Sequence, residues 1–256
     1  MKSELIILGC GSSIGVPRID GYWGNCKKNV KKNLRTRCSA IIKKGNNTVL
    51  IDTSPDLRNQ LLMNKIENIS SVIFTHEHAD QTNGLFELRP FFWKNKKKIN
   101  VYGNALTIKD VKKRNYYLFN KTKSYPAIVK SNVIKKTLNL GINKEKIQFN
   151  IINAKHGNTF SIVYKFENTA YASDCNDLTI VANKTLKNLN YLILDCLRIK
   201  KHTSHFNLKD ALYIHRNLKP KKTILTNLHH DLDYKKLVSL LPKNVIPAYD
   251  GLRLNL

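Results

Sequence analysis

The segment Thr75-His76-Glu77-His78-Ala79-Asp80-Gln81-Thr82-Asn83-Gly84 sets two imidazoles and a carboxylate at alternate positions directly after an apolar run. In extended backbone alternate side chains share a face. His76 and His78 can therefore hold one ion through neutral imidazole nitrogens. Asp80 continues the alternation and can serve a second ion. Gly84 lets the chain that follows begin close against the site. A solvated polar turn is the plain alternative. A buried strand that delivers His-x-His-x-Asp into a Gly-containing turn favours the metal reading.

More candidates recur downstream, each where a strand is expected to end. His156 precedes Gly157, and Asp174 follows Tyr171-Ala172-Ser173. His202 and His205 lie in His-Thr-Ser-His-Phe, and His229 and His230 follow another short strand. Taken singly, each reads as a surface or structural histidine. Taken with the first cluster, they supply the nitrogen and oxygen ligands of a two-metal hydrolytic site. His215, followed by Arg216 inside a helical pattern, reads as structural.

The elements that must carry these residues alternate short β runs with helical ones. Residues 3–8, 40–43, 48–51, 72–75, 99–102, 147–152, 160–166, 170–172, 191–195 and 223–226 read as strands. Residues 56–64, opened by Ser54-Pro55, read as a helix, as do 106–119, 178–186, 208–218 and 234–241. No repeat, low-complexity tract or linker divides the chain, so residues 1–256 are expected to form a single domain. Polar residues gather at strand ends, the edge where layered α/β folds build sites.

The composition is that of a globular protein, with 42% hydrophobic and 24% charged residues. No stretch approaches the roughly 18 apolar residues of a membrane span, and the N-terminal run reads as a first strand, not a signal peptide. Five cysteines without close pairs suggest free thiols and a cytoplasmic setting. The formal net charge of +26 favours polyanions. The lysines are scattered in short groups, however, and Lys, Asn and Ile are all heavily used, so nucleic-acid binding is not favoured on charge alone.

With these residues in view, the sequence resembles the metallo-β-lactamase-fold hydrolases. Within them it looks most like the branch containing the 5-phosphoribosyl 1,2-cyclic phosphate phosphodiesterase. The resemblance runs through Leu8-Gly-Cys-Gly-Ser-Ser-Ile-Gly-Val-Pro17, Trp23-Gly-Asn-Cys26, Asn33-Leu-Arg-Thr-Arg-Cys-Ser39 and Ile51-Asp-Thr-Ser-Pro-Asp-Leu-Arg58. It continues through the His76 cluster, Glu87-Leu-Arg89, His156-Gly157, Asp174, His202-Thr-Ser-His-Phe206, the stretch from Thr226 to Tyr234, and Ala248-Tyr-Asp-Gly251. It implies an α/β (α+β) αββα sandwich with a di-metal site along one edge.

The resemblance also implies roles. His76, His78 and His156 would hold the first metal, Asp174 would bridge both, and Asp80 would sit on the second. Asp52 would lie just behind the ligands. His205, with His202 sharing the duty, would contact the scissile phosphate or protonate the leaving oxygen. Two departures stand out. Gln81 replaces the histidine that relatives usually place after Asp80, and Asn227 replaces the late one. In extended backbone Asn227 and His229 would share a face, so His229 is expected to supply the missing nitrogen, with His230 in reserve. With Gln81 as a poorer ligand, the second ion should be held less tightly than the first. Cys26 has no Cys-x-x-Cys partner, so no structural zinc is expected there.

The implied chemistry is hydrolysis of a phosphodiester, small and cyclic or nucleotide-like, by hydroxide activated on two divalent ions, Mn²⁺ or Zn²⁺. Asp80 or Asp174 would position that hydroxide. Arg89, and behind it Arg37 and Arg58, could clamp phosphate oxygens. Ser12 and Ser13, in the Gly9–Gly15 loop, would line the site wall. An RNase Z-like nuclease, a thioester or ester hydrolase of the same fold, and a metal binder without catalysis are the alternatives. A homodimer is compatible with the sequence; a membrane partner is not expected.

Overall fold

The first strand, β1 (Ser3–Gly9), shows why each sheet must be covered on both sides: every residue of Ser-Glu-Leu-Ile-Ile-Leu-Gly except Glu4 is buried. Leu5 and Ile7 point into one apolar cluster, and Ile6 and Leu8 into another. The period of two along a strand separates these faces. The protein, described by a computed structural model over residues 1–178 and 184–256, repeats this plan in both of its sheets.

In the first sheet β1 pairs antiparallel with β2 (Ser39–Lys44), which turns into β3 (Asn47–Ile51). β4 (Ser71–Ile73), β5 (Ile99–Gly103) and β6 (Val129–Val133) follow in parallel. The last strand, β15 (Leu252–Asn255), closes the other edge against β1. The second sheet is built from β7 (Thr137–Leu140), β8 (Ile147–His156), β9 (Thr159–Phe166), β10 (Thr169–Ala172), β11 (Asp177–Leu178), β12 (Tyr191–Asp195), β13 (Lys222–Thr226) and β14 (Val245–Pro247). Its order is β11-β8-β9-β10-β12-β13-β14, with β7 also on β8.

Parallel neighbours require crossovers, and the helices supply them. On the first sheet these are α1 (Leu57–Met63), α2 (Ala79–Thr82), α3 (Arg89–Asn95), α4 (Ala105–Arg114) and α5 (Tyr116–Phe119). On the second they include α6 (Leu208–Leu218) and α7 (Tyr234–Leu240). A central core that includes Ile51, Ile73, Phe149, Tyr164, Tyr171 and Ile193 joins the two sheets. Leu57, Leu61, Ile108 and Val111 cover the outer face of the first sheet, and Ala211, Ile214 and Leu218 that of the second. These four layers are the expected αββα sandwich. No helix among the described residues is long and apolar enough to cross a membrane.

Several expectations need correction. The helix expected over 106–119 breaks at Asn115, whose φ of −119° and ψ of 37° are not helical. The strand expected over 72–75 stops at Ile73: Thr75 N donates to the Asp52 carboxylate, while Thr75 O accepts from Ile162 N in β9 of the other sheet. The helix expected over 178–186 falls largely outside the described residues, and Leu178 belongs to β11. Strands β6, β7, β11, β14 and β15 are additional. β6 and β7 are polar and partly exposed, and lack the apolar alternation that announces a half-buried strand.

Candidate metal centre

One edge of the sandwich collects the loops that follow β4, β10, β12 and β13, together with the last residue of β8. The loop after β4 is set from behind. Asp52, completely buried, accepts from Thr75 N at 2.8 Å and from Thr75 Oγ1 at 2.9 Å. Thr75 Oγ1 thereby spends its proton and accepts from His76 Nδ1 at 3.0 Å. His156 Nδ1 lies 2.8 Å from the Ser204 carbonyl oxygen, which can only accept. In both rings the proton therefore sits on Nδ1, and the Nε2 lone pair is free.

Those lone pairs converge. His76 Nε2 lies 2.9 Å, and His156 Nε2 3.3 Å, from the same atom, His78 Nδ1. One proton on His78 cannot serve both neighbours. A cation among the three nitrogens serves all of them, and donors about 3 Å apart suit a first-row ion held at about 2 Å. Burial pushes His76 down to about 3 and also lowers His156, so these rings stay neutral as ligands must. The residues present thus fit a divalent cation.

The carboxylates lie beside them. Asp174, at a left-handed φ of 53° just after β10, belongs to a second close group with His156 and His205. Burial alone would raise its pKa, but His76, His205 and His156 outweigh that and lower it. Asp80 is pushed up to about 6 by burial and by the charge of Asp174. Gln81 Nε2 donates to Asp174 Oδ2 at 3.2 Å and to Asp80 Oδ2 at 3.3 Å. Asn227 Nδ2 donates to Asp174 Oδ1 at 3.2 Å.

His205 is oriented from the last residue of β12. Asp195 Oδ2 accepts from its Nδ1 at 2.8 Å and from Cys175 N at 2.9 Å. Burial alone would lower the His205 pKa; Asp195 overrides it and lifts the ring to about 9. Burial raises Asp195 to about 6. Between those values the pair is imidazolium and carboxylate.

His78, Asp80, His156, Asp174, His205 and Asn227 open onto a cavity of about 260 Å³. Ser12, Ser13, Ile14, Arg198, His202 and His229 complete its wall. Ser12 Oγ is buried and has no partner there. His202 Nδ1 accepts from Ser204 N at 3.3 Å, which fixes its ring beside His205.

Three expectations do not hold. Arg89 lies outside this cavity: it sits beyond a 3-10 turn, and its guanidinium folds back onto the Phe86 carbonyl at 3.2 Å. Arg37 is engaged by Asp56 through two hydrogen bonds of 2.9 and 2.7 Å, and Arg58 is exposed on α1. His229 does not share a face with Asn227. The φ of 62° at Asn227 is left-handed, not extended, and turns the chain. His229 instead stacks on His230 with ring centroids 3.6 Å apart, and its Nδ1 is 3.3 Å from Asp231. Arg198, Asp195 and Asn227's contact with Asp174 were not anticipated. Asp195 had a signal, a carboxylate ending an apolar strand, with a basic residue three positions on.

Residues 47–229 match the beta-lactamase superfamily domain model. A solved diphosphatase from the PhnP family is 30% identical, superposes with a TM-score of 0.92, and matches 100% of this chain and 98% of its own. Human tRNase Z, short form, shares the fold at 15% identity and a TM-score of 0.71, over 98% of both chains. An octanoyltransferase of Porphyromonas gingivalis (strain ATCC BAA-308 / W83) is 28% identical over 250 residues, which are 96% of this chain and 50% of that protein. The chain therefore spans about half the length of that curated relative.

Proposed function

This chain belongs to the beta-lactamase superfamily as a hydrolase of the metallo-β-lactamase fold, and we propose that it uses a divalent metal to cleave a phosphodiester of small size. The observation that carries this reading is the convergence of the His76, His78 and His156 nitrogens at the floor of a cavity that also presents Ser12, Arg198 and His205. This cavity of about 260 Å³ adjoins a second of about 720 Å³ through His78, His156 and Ser204, which leaves room for a phosphate with a small-molecule substituent.

His76, His78 and His156, with Asp174, would hold the metal, which when bound supplies Lewis acidity and an activated water. The remaining steps belong to the chain. Asp80 accepts a proton at the water-facing edge. The unpaired Ser12 Oγ and the backbone beside it meet phosphate oxygens, with Ser13 and the Arg198 guanidinium at the rim. His205, fixed through Nδ1 by Asp195, presents its other ring edge to the leaving oxygen and donates a proton. His202 borders that same oxygen.

Bis(p-nitrophenyl) phosphate hydrolysis, assayed with Mn²⁺ or Zn²⁺ in wild type and His78→Ala, tests the reading. Metal-dependent turnover that disappears in the variant is expected. Metal-loaded protein that leaves this diester intact would sink it. The resemblance to a diphosphatase favours one second reading, cleavage of a P–O–P bridge. A diphosphate diester in the same assay separates the two bonds.

A further inference from the structure

We propose that in this chain the carboxamides of Gln81 and Asn227 occupy the second cation position, so that one divalent ion is held per chain. The proposal rests on reading His76, His78 and His156 as ligands, and concerns what lies beside them.

A second ion needs several donors, and the two side chains that could add one beside the first are carboxamides whose N–H groups face the carboxylates and take up one lone pair on each of three oxygens. Gln81 is fully buried, and its Nε2 lies within hydrogen-bond distance of both Asp174 Oδ2 and Asp80 Oδ2. Asn227, 1% exposed, donates to the other oxygen of Asp174. Both Asp174 oxygens and one of Asp80 thus receive neutral N–H donors at 3.2–3.3 Å. An imidazole at either position would offer a lone pair to a cation; a carboxamide turned this way offers none.

The amide orientation follows from electrostatics. Turning Gln81 over would aim Oε1 at two carboxylate oxygens just over 3 Å away, three acceptors facing one another. Oε1 points away instead and goes without a partner, a lesser penalty than that repulsion. The backbone of Gln81 is held in place, because Thr53 N donates to its carbonyl at 2.7 Å and Gln81 N to the His78 carbonyl at 3.1 Å. Charge agrees: Asp80 and Asp174 together balance one divalent ion. The neighbouring histidines add little: His229 Nδ1 is 3.3 Å from Asp231, and His205, with Nδ1 on Asp195, has only Nε2 left beside His156 and Asp174, one nitrogen where an ion needs at least three protein donors.

Ions per chain can be counted by native mass spectrometry after chelator stripping and reloading with Zn²⁺ or Mn²⁺. The background is His230→Gln, so that no ion held by the neighbouring His229–His230–Asp231 group is counted. One ion is expected in that background and two when Gln81→His and Asn227→His are added. Two ions in the background protein, with either metal, would overturn the proposal, and so would one ion in a folded triple variant. His78→Ala should lose the single ion. If the background protein bound none, the metal-ligand reading would fall as well, which distinguishes the two failures.

Discussion

His156 illustrates how little a residue's identity says about its role until its second ring nitrogen is accounted for. Because Ser204 O accepts from Nδ1–H, Nε2 is left with a free lone pair. His205 has the same chemistry and a different assignment, since its Nδ1 partner is the Asp195 carboxylate. Asp195 positions that ring. Asp195→Asn removes the charge while keeping an acceptor, so kcat should fall roughly 10- to 100-fold, with KM and bound metal unchanged. Steady-state kinetics alongside metal analysis check this; a parallel loss of metal would mean that Asp195 supports the metal centre itself.

At the scale of elements, the short helix α2 can carry Asp80 and Gln81 only because the turn behind it fits against the loop after β3. Gly84 N donates to Thr53 O at 2.8 Å, and a Cβ on Gly84 would sit 2.0 Å from Ser54 O. Both partners are backbone, so neither can swing aside. Gly84→Ala should destabilise the protein by about 1–3 kcal/mol and displace α2. Urea unfolding gives the first quantity, and a fall in metal affinity would report the second. Unchanged stability would show that the Thr53–Ser54 turn can yield.

Across the whole molecule, Asp250 ties the chain's end to its beginning. Its carboxylate accepts from Cys10 N at 3.0 Å and from Thr36 N and Oγ1 at 2.7 Å each. Burial lifts it from 3.8 to about 6 despite those donors. Between these values the folded protein binds more protons at this group than the unfolded chain does, so its contribution to stability declines as pH rises through that window. Asp250→Asn, which cannot titrate, should show a more positive slope of stability against pH between pH 4 and 6 than wild type. Denaturant midpoints measured across that range would refute the assignment if the two slopes matched.

Much of this architecture is legible without coordinates. Apolar runs such as Leu5–Leu8 and the Asn207 start of α6 are local signals, and His-x-His-x-Asp carries its own geometry in three alternate side chains. The four layers are implied by the family resemblance, and the facing of His76 and His78 by their spacing. What only tertiary structure decides is the partnering of residues far apart in sequence: Gln81 with Asp174, His156 with Ser204, Asp195 with His205. Arg89 and Arg198 show the same limit, since exclusion from the cavity or entry into it depends on which way a loop leaves its strand. The left-handed φ at Asn227 decides that His229 meets the cavity from its wall beside Asp231 and not from the face Asn227 presents, and an asparagine reaches that conformation readily enough that its identity does not announce it. Local patterns fix which groups are available; the backbone path between them fixes which lone pairs meet.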